Sequence, residues 1–297
     1  MQLTSRGSVN RWECDENDHL NVRFCEHKLY QALVSGLLAN GCIDSEDVPS
    51  LPARIARQHI RFQAESRIAA PLGGYFAAVA GEEFQVLVEL CNEISGVVVC
   101  SMLCTFSDQG IVARLQGLAG CVNPEDIGHA WPRGIQRNLD LHNLTLDEAL
   151  ALGFRVIGAG VIEPDECSAQ GLLVPHHCMG RISDSMPHLW GAVFPESEAS
   201  GEEGGAVVEF RRSYEEMFLA ADAFQVVSGI VEVGARVQSF AHLMFNLRTG
   251  RCCVNAQAVA LRMDLKARKA ITMNEAVLAK LEAQRILSLI HISEPTR

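Results

Sequence analysis

The sequence is poor in the features that most quickly assign a protein to a class. No apolar run reaches the ~18 residues of a membrane-spanning helix, and the N-terminus carries charges where a signal peptide places its apolar core. The expectation is a cytoplasmic chain without a membrane partner. The 11 cysteines form no CxxC pair and are odd in number. Several sit inside apolar stretches (Cys91, Cys100, Cys104, Cys252, Cys253), which points away from a disulfide framework and a zinc site and towards small core residues in a reducing compartment. Basic residues are few, 25 Lys+Arg against 36 Asp+Glu, and the net charge of -11 argues against a nucleic-acid backbone as partner. An anionic small ligand would need a local positive site. Aromatic residues make up 6% of the chain and give no sign of a stacked aromatic substrate. Gly158-Ala-Gly160 is too short for a dinucleotide fingerprint and lacks the helix that should follow it.

What remains is an ordinary globular mixture, 48% hydrophobic and 21% charged, with 297 residues, long enough for two domains. From about Leu287 the string LSLIHISEPTR breaks from the charged helical pattern of Glu275 to Arg285. It resembles a translated sequencing adapter, so residues 287–297 are set aside as a non-native tail.

The rest splits into two halves with the same order of elements. In the first, Ser8 to Cys14 reads as a strand and Val22 to Ala39 as a helix, with Cys25, Leu29, Ala32, Leu33, Gly36 and Leu37 at helical spacing before the Asn40-Gly41 stop. A Pro-containing loop leads to strands over Ile55 to Ser66, Gly74 to Ala80, Phe84 to Ile94 and Val97 to Phe106, with turns at Gly81-Glu82-Glu83 and Ser95-Gly96. The second half gives a strand over Phe154 to Ile162 and a helix over His177 to Phe194, for which Pro187 predicts a bend or break. Strands follow near Ala206 to Tyr214, Phe224 to Val233, Val237 to Leu247 and Cys252 to Arg262, with a turn at Thr249-Gly250. Cys14 aligned with Cys167 gives an offset of 153. In the connector, Thr145-Leu-Asp-Glu148 is a capping box that should open a short helix. Each half is thus an α+β unit in which a curved antiparallel sheet wraps one helix of ~27 Å.

The stretch from Trp12 to Val22 gathers Asp15, Asn17, His19 and Asn21 between the first strand and the first helix. It resembles the D-x-N-G-H-x-N signature of hot-dog-fold acyl-CoA thioesterases of the 4-hydroxybenzoyl-CoA thioesterase type. Gln58-His-Ile-Arg-Phe62, Gly180-Arg-Ile-Ser-Asp184 and Ala267-Arg-Lys-Ala270 resemble a tandem, double-hot-dog subfamily. The resemblance spans about residues 4 to 285. It implies a first hot-dog unit over 1–122, a connector over 123–153 and a second, degenerate unit over 154–286, joined as a pseudo-dimer whose sheets pair edge to edge. Two departures stand out: Asp18 replaces the signature Gly, and Cys25 replaces a common aromatic.

The chemistry can be reasoned from the residues themselves. A thiol leaving group with a pKa near ~8.5 departs as thiolate, so one carboxylate and one oxyanion stabiliser suffice. Asp15 can attack the thioester carbonyl or activate water, with His19 and Asn17 as further candidate catalytic residues. Asn17 also suits the turn. The helix start at Asn21, Val22 and Arg23 offers backbone N–H groups for the oxyanion, and Asn21 also suits the N-cap. His59 and Glu65 are possible additional participants. With the offset of 153, Asp15 corresponds to Ser168, Asn17 to Gln170, His19 to Leu172 and Asn21 to Val174, so one competent site per chain is expected. His176-His177-Cys178 lacks metal-site spacing, and no metal is expected. Arg211-Arg212 and Arg251 are candidates for phosphate contacts or solvated strand ends. The reading is hydrolysis of an acyl-CoA thioester, with CoA as part of the substrate and no separate cofactor, by a monomeric pseudo-dimer or a homo-oligomer. A noncatalytic acyl-CoA-binding module and a hydratase or dehydratase on the same fold are the alternatives.

Overall fold

The computed structural model describes the chain apart from residues 82–84, 136–138, 140, 195–202, 265, 268 and 287–297. Glu82 and Glu83 of the expected turn, and the tail from Leu287, lie outside the described residues. The chain divides into two compact units, Met1–Pro132 with Pro164–Gly180, and Arg133–Glu163 with Arg181–Arg297.

In the first unit, β1 (Gln2–Ser8), α1 (Val22–Ala39), β2 (Ile55–Phe62), β3 (Pro71–Ala78), β4 (Val86–Asn92) and β5 (Val98–Phe106) follow in sequence, with a short α2 (Gln109–Gln116) after them. The strands form an antiparallel sheet in the order β1-β3-β4-β5-β2. Gly96 turns β4 into β5 with φ +69°, a conformation that favours glycine. The apolar residues expected on the helix, from Cys25 to Leu37, are the ones α1 buries, together with Glu26. Gly36 is where helix and sheet come closest, since a Cβ there would stand 2.3 Å from the Phe76 ring.

Two local expectations are corrected. The first strand is Gln2–Ser8, not Ser8 to Cys14; Asn10 and Glu13 close a capping box that curls Arg11–Glu13 into a 3-10 turn and ends the extended chain. β1 is an exposed edge strand with no apolar alternation to announce it. Strand β2 stops at Phe62, so Glu65 lies in the loop after it. The helix α2 is started by Asp108, whose carboxylate accepts from the Gly110 and Ile111 N–H groups.

In the second unit, α3 (Leu146–Ala151) opens on the expected Thr145–Glu148 capping box. Ala149 packs with Leu141, Phe154, Val227, Ala241 and Leu243. β6 (Arg155–Val161), α4 (Pro175–Val193), β7 (Glu203–Tyr214), β8 (Ala223–Val233), β9 (Val237–Asn246) and β10 (Cys252–Asp264) follow, and the strands run β7-β10-β9-β8-β6, again antiparallel. A two-residue β11 (Lys269–Ala270) pairs with β10, and α5 (Glu275–Glu282) comes last. The C-terminal part of α4 lies on the sheet, with Trp190 edge-on to Phe240 and Ser185 against Gly158. It runs unbroken through Pro187 and starts at Pro175, where a missing N–H costs nothing. The first six residues of α4 belong to the first unit. β1 and β6, like α1 and α4, start 153 residues apart, so the offset read from two cysteines is the structural register of the repeat.

Candidate active site

The loop between β1 and α1 folds on Asp15. The Asp15 N–H donates to the His19 carbonyl at 2.8 Å and the Asp18 N–H to the Asp15 carbonyl at 3.1 Å, which brings Asp18 to φ +59°. Asp tolerates this left-handed conformation better than most residues, so the turn survives without the signature glycine. The Asp15 carboxylate oxygen Oδ1 accepts from the Asn17 N–H at 2.9 Å and the His19 N–H at 3.0 Å. Its other oxygen, Oδ2, makes no hydrogen bond among the described residues. Asn17 therefore serves the loop through its backbone.

His19 is 5% exposed, and its Nε2 lies 3.4 Å from the Glu65 carboxylate. The loop after β2 is held against the motif by the Leu20 N–H, which donates to the Ser66 carbonyl at 2.8 Å. Asp15, His19 and Glu65 thus form one chain of contacts, Asp15 through the His19 backbone and Glu65 through its imidazole. His59 lies fully buried inside β2, opposite Leu103 of β5.

At the helix start one of the expected oxyanion donors already has a partner. Asn21 is the N-cap: its side-chain oxygen accepts from the Arg23 N–H at 2.9 Å, and its carbonyl accepts from the Phe24 N–H at 2.9 Å. A cap side chain competes for the very amides that a substrate oxygen would need. The Val22 N–H is left, making no hydrogen bond among the described residues.

The second repeat copies the loop without its chemistry. The Ser168 N–H donates to the Leu172 carbonyl at 2.8 Å and the Gly171 N–H to the Ser168 carbonyl at 2.8 Å, with Gly171 at φ +75° where the first repeat has Asp18. Ser168 Oγ receives the Gln170 and Leu172 N–H groups at 3.4 Å, a looser version of what Asp15 does. Backbone shape is retained while the carboxylate and imidazole are absent.

Further charged and titratable residues lie outside the motif. Glu13, mostly buried, takes an ion pair from Lys28 at 2.8 Å, which helps hold its carboxyl below the usual range against the opposing effect of burial. The positions equivalent by the offset of 153 are Glu166 and Arg181, again an acid and a base. Burial also lowers the His176 and His177 imidazoles, to about 2 and about 4, with Arg23 adding repulsion. Among the described residues no cluster of three or more His, Cys, Asp or Glu side chains is arranged to hold a metal ion. Arg211 and Arg212 are not solvated strand ends: both are buried, and the Arg212 guanidinium lies over the Phe210 and Tyr214 rings. Arg251 lies 3.7 Å from Glu216. No helix among the described residues is long and apolar enough to cross a membrane.

No family model and no curated protein matches the chain. Solved structures do. A protein of Lactobacillus plantarum assigned as an oleoyl thioesterase is 12% identical with a TM-score of 0.59, covering 87% of this chain and 95% of its own. The 12:0-ACP thioesterase of Umbellularia californica is 10% identical with a TM-score of 0.55, covering 87% and 93%. An acyl-ACP thioesterase of Bacteroides thetaiotaomicron is 9% identical with a TM-score of 0.54, covering 86% and 96%. The likeness extends over both repeats and establishes the α+β double hot-dog fold.

Proposed function

We propose that the chain hydrolyses an acyl thioester, carried by CoA or by an acyl carrier protein, to the free acid and the thiol. The observation that carries this reading is the Asp15 carboxylate, with Oδ1 fixed by two loop amides and Oδ2 open, beside a buried His19 held against Glu65. A carboxylate whose one oxygen is anchored keeps its orientation while the other acts on the carbonyl carbon or on water. Addition of water, or of Asp15 followed by water, collapses with loss of the thiolate, whose pKa near ~8.5 removes the need for a strong general acid. His19, supported by Glu65, orients the water or the substrate carbonyl. The Val22 N–H is the backbone donor left for the oxyanion. The reaction needs only water beyond the substrate. The likeness to acyl-ACP and oleoyl thioesterase structures supports the reading at the level of fold, and it brings carrier-protein thioesters into consideration beside CoA thioesters.

A second reading, a hydratase or dehydratase on the same fold, would use a His and carboxylate pair, and His19 with Glu65 is such a pair, though within one repeat and not across the repeat interface. One experiment separates the two: thiol release from a panel of acyl-CoA and acyl-ACP substrates of varied length, run with the parent and with Asp15→Asn. Hydrolysis predicts thiol release by the parent and a loss of about 10²-fold or more in the variant, with an unchanged melting temperature. Full activity in Asp15→Asn would overturn the assignment, and enoyl or hydroxyacyl products without thiol release would favour the second reading.

A further inference from the structure

The first turns of α1 and of α4 meet inside the first unit, and the repeat makes their contacts comparable position by position. Arg23 and His27 of α1 correspond to His176 and Gly180 of α4. The stem of Arg23 runs over Gly180, where a Cβ would stand 2.7 Å from Arg23 Cδ. In the other direction, His176 Nε2 reaches His27 Nδ1 at 3.1 Å, with the rings edge to face. The same crossing is therefore built twice with different chemistry, a cation over a glycine on one side and two imidazoles on the other.

The consequence lies in how Arg23 is held. Its Nη2 is 2.9 Å from His177 Nδ1. A guanidinium can only donate, so Nδ1 carries the lone pair and His177 is neutral with its proton on Nε2. The His176 ring lies 4.2 Å from that of His177, and the same Nδ1 that accepts from Arg23 is 3.7 Å from Glu166 Oε1. Neighbouring basic side chains are matched by carboxylates, Lys28 by Glu13 at 2.8 Å and Arg11 by Asp18 at 3.9 Å. Arg23 makes no ion pair among the described residues, and its enclosed Nε has no hydrogen-bond partner there. A neutral imidazole fixes the direction of the guanidinium without neutralising its charge. Arg23 follows the N-cap Asn21 by two residues and the motif His19 by four.

We infer that Arg23 recognises an anionic group of the substrate and that His177, supplied by the second repeat, is its positioning residue. The group is a phosphate of the carrier arm or a carboxylate on the acyl chain, either of which accepts charge-assisted hydrogen bonds from a guanidinium. The inference rests on the thioesterase reading for its substrate. It gives the degenerate repeat a part in the site that its own loop no longer performs.

The test compares one acyl group as its CoA thioester and as its uncharged N-acetylcysteamine thioester, and adds a dicarboxylic half-thioester of N-acetylcysteamine. Arg23→Gln is expected to lower kcat/KM for the charged substrate relative to the uncharged one by about 10- to 100-fold, as loss of a charge-assisted hydrogen bond does. A selective loss on the CoA thioester identifies phosphate, and a selective loss on the half-thioester identifies carboxylate. His177→Leu should produce the same selective loss, falling on KM rather than kcat, and His177→Gln, whose amide oxygen can accept from Arg23, should recover part of it. Equal effects of Arg23→Gln on charged and uncharged substrates would overturn the recognition role. A selective loss in Arg23→Gln with parental behaviour in His177→Leu would overturn the positioning role. If the parent hydrolyses no thioester, the function reading fails on its own; calorimetric titration with CoA and with a dicarboxylate then decides the inference, supported by binding at least tenfold weaker in Arg23→Gln and overturned by equal or absent binding.

Discussion

Asp18 and Gly171 occupy the same point of the same turn, at φ +59° and +75°, and they show how much side chain that point accepts. An Asp can reach a left-handed conformation at small cost, whereas a β-branched residue cannot. Gly171→Asp should therefore be nearly neutral, and Gly171→Val should lose about 1–2 kcal/mol, read as a shift in the urea midpoint. Equal midpoints for the two variants would show that the turn is not fixed by this backbone angle. The carboxylate of Asp15 belongs to the same scale: one side chain both ties the loop and presents an open oxygen. Ser168 shows that the tying alone is achieved without an acid, through contacts of 3.4 Å. The carboxylate is thus more than the turn requires, which is the residue-level ground for giving it a chemical task.

At the scale of elements, the start of α1 sets the terms of the site. The Asn21 cap satisfies the Arg23 amide and fixes the direction in which the helix leaves the loop. Asn21→Ala should cost about 1 kcal/mol of stability in chemical denaturation, the usual worth of an N-cap. It would also free the Arg23 N–H, so its effect on turnover is separable from its effect on folding: a variant destabilised by that amount with parental kcat would show that the cap amide takes no part in the chemistry. The second repeat has Val174 at the equivalent position and begins α4 with Pro175, a different solution to the same problem of unpaired first-turn amides.

For the whole molecule, imidazoles held below their usual range contribute to the response to acid, His242 and His176 buried and His177 half-buried. His242 is held to about 3 by burial between the Phe210 and Phe240 rings, where Ser228 Oγ meets its Nδ1 at 2.6 Å. His176 and His177 are held to about 2 and about 4, again by burial first. An unfolded chain protonates each near 6.5, so between that pH and the lowered values the unfolded state binds more protons than the folded one. Stability therefore rises with pH through this window and falls as pH drops below 6.5. At pH 5, His242 and His176 should each cost about 2 kcal/mol relative to pH 7.5, and the more exposed His177 less. Urea midpoints across pH 5 to 7.5 check this, and His242→Phe should flatten part of the slope. A flat profile in the parent would mean that these groups titrate in the folded protein as they do in water.

The sequence by itself determined the parts that depend on neighbours along the chain. Helical spacing from Cys25 to Leu37, the Thr145–Glu148 capping box, the glycine turns at Gly96 and Gly250 and the repeat offset all follow from backbone angles and periodicity, and each is present where the pattern placed it. The turn at Asn17 and Asp18 was legible as well, while the bonds from the following amides to the Asp15 carboxylate came from the structure. The exposed β1 escaped, having no buried face to give it a period. Tertiary structure alone decided which long-range partners meet: Glu65 reaches His19 from the end of β2, His177 reaches Arg23 across 154 residues, and Arg211 and Arg212 vanish into the interior of a strand that reads as half-polar. Such pairings are set by the register of strands and the crossing of helices. Those are fixed by the packing of the whole core, and no short stretch of sequence carries that information.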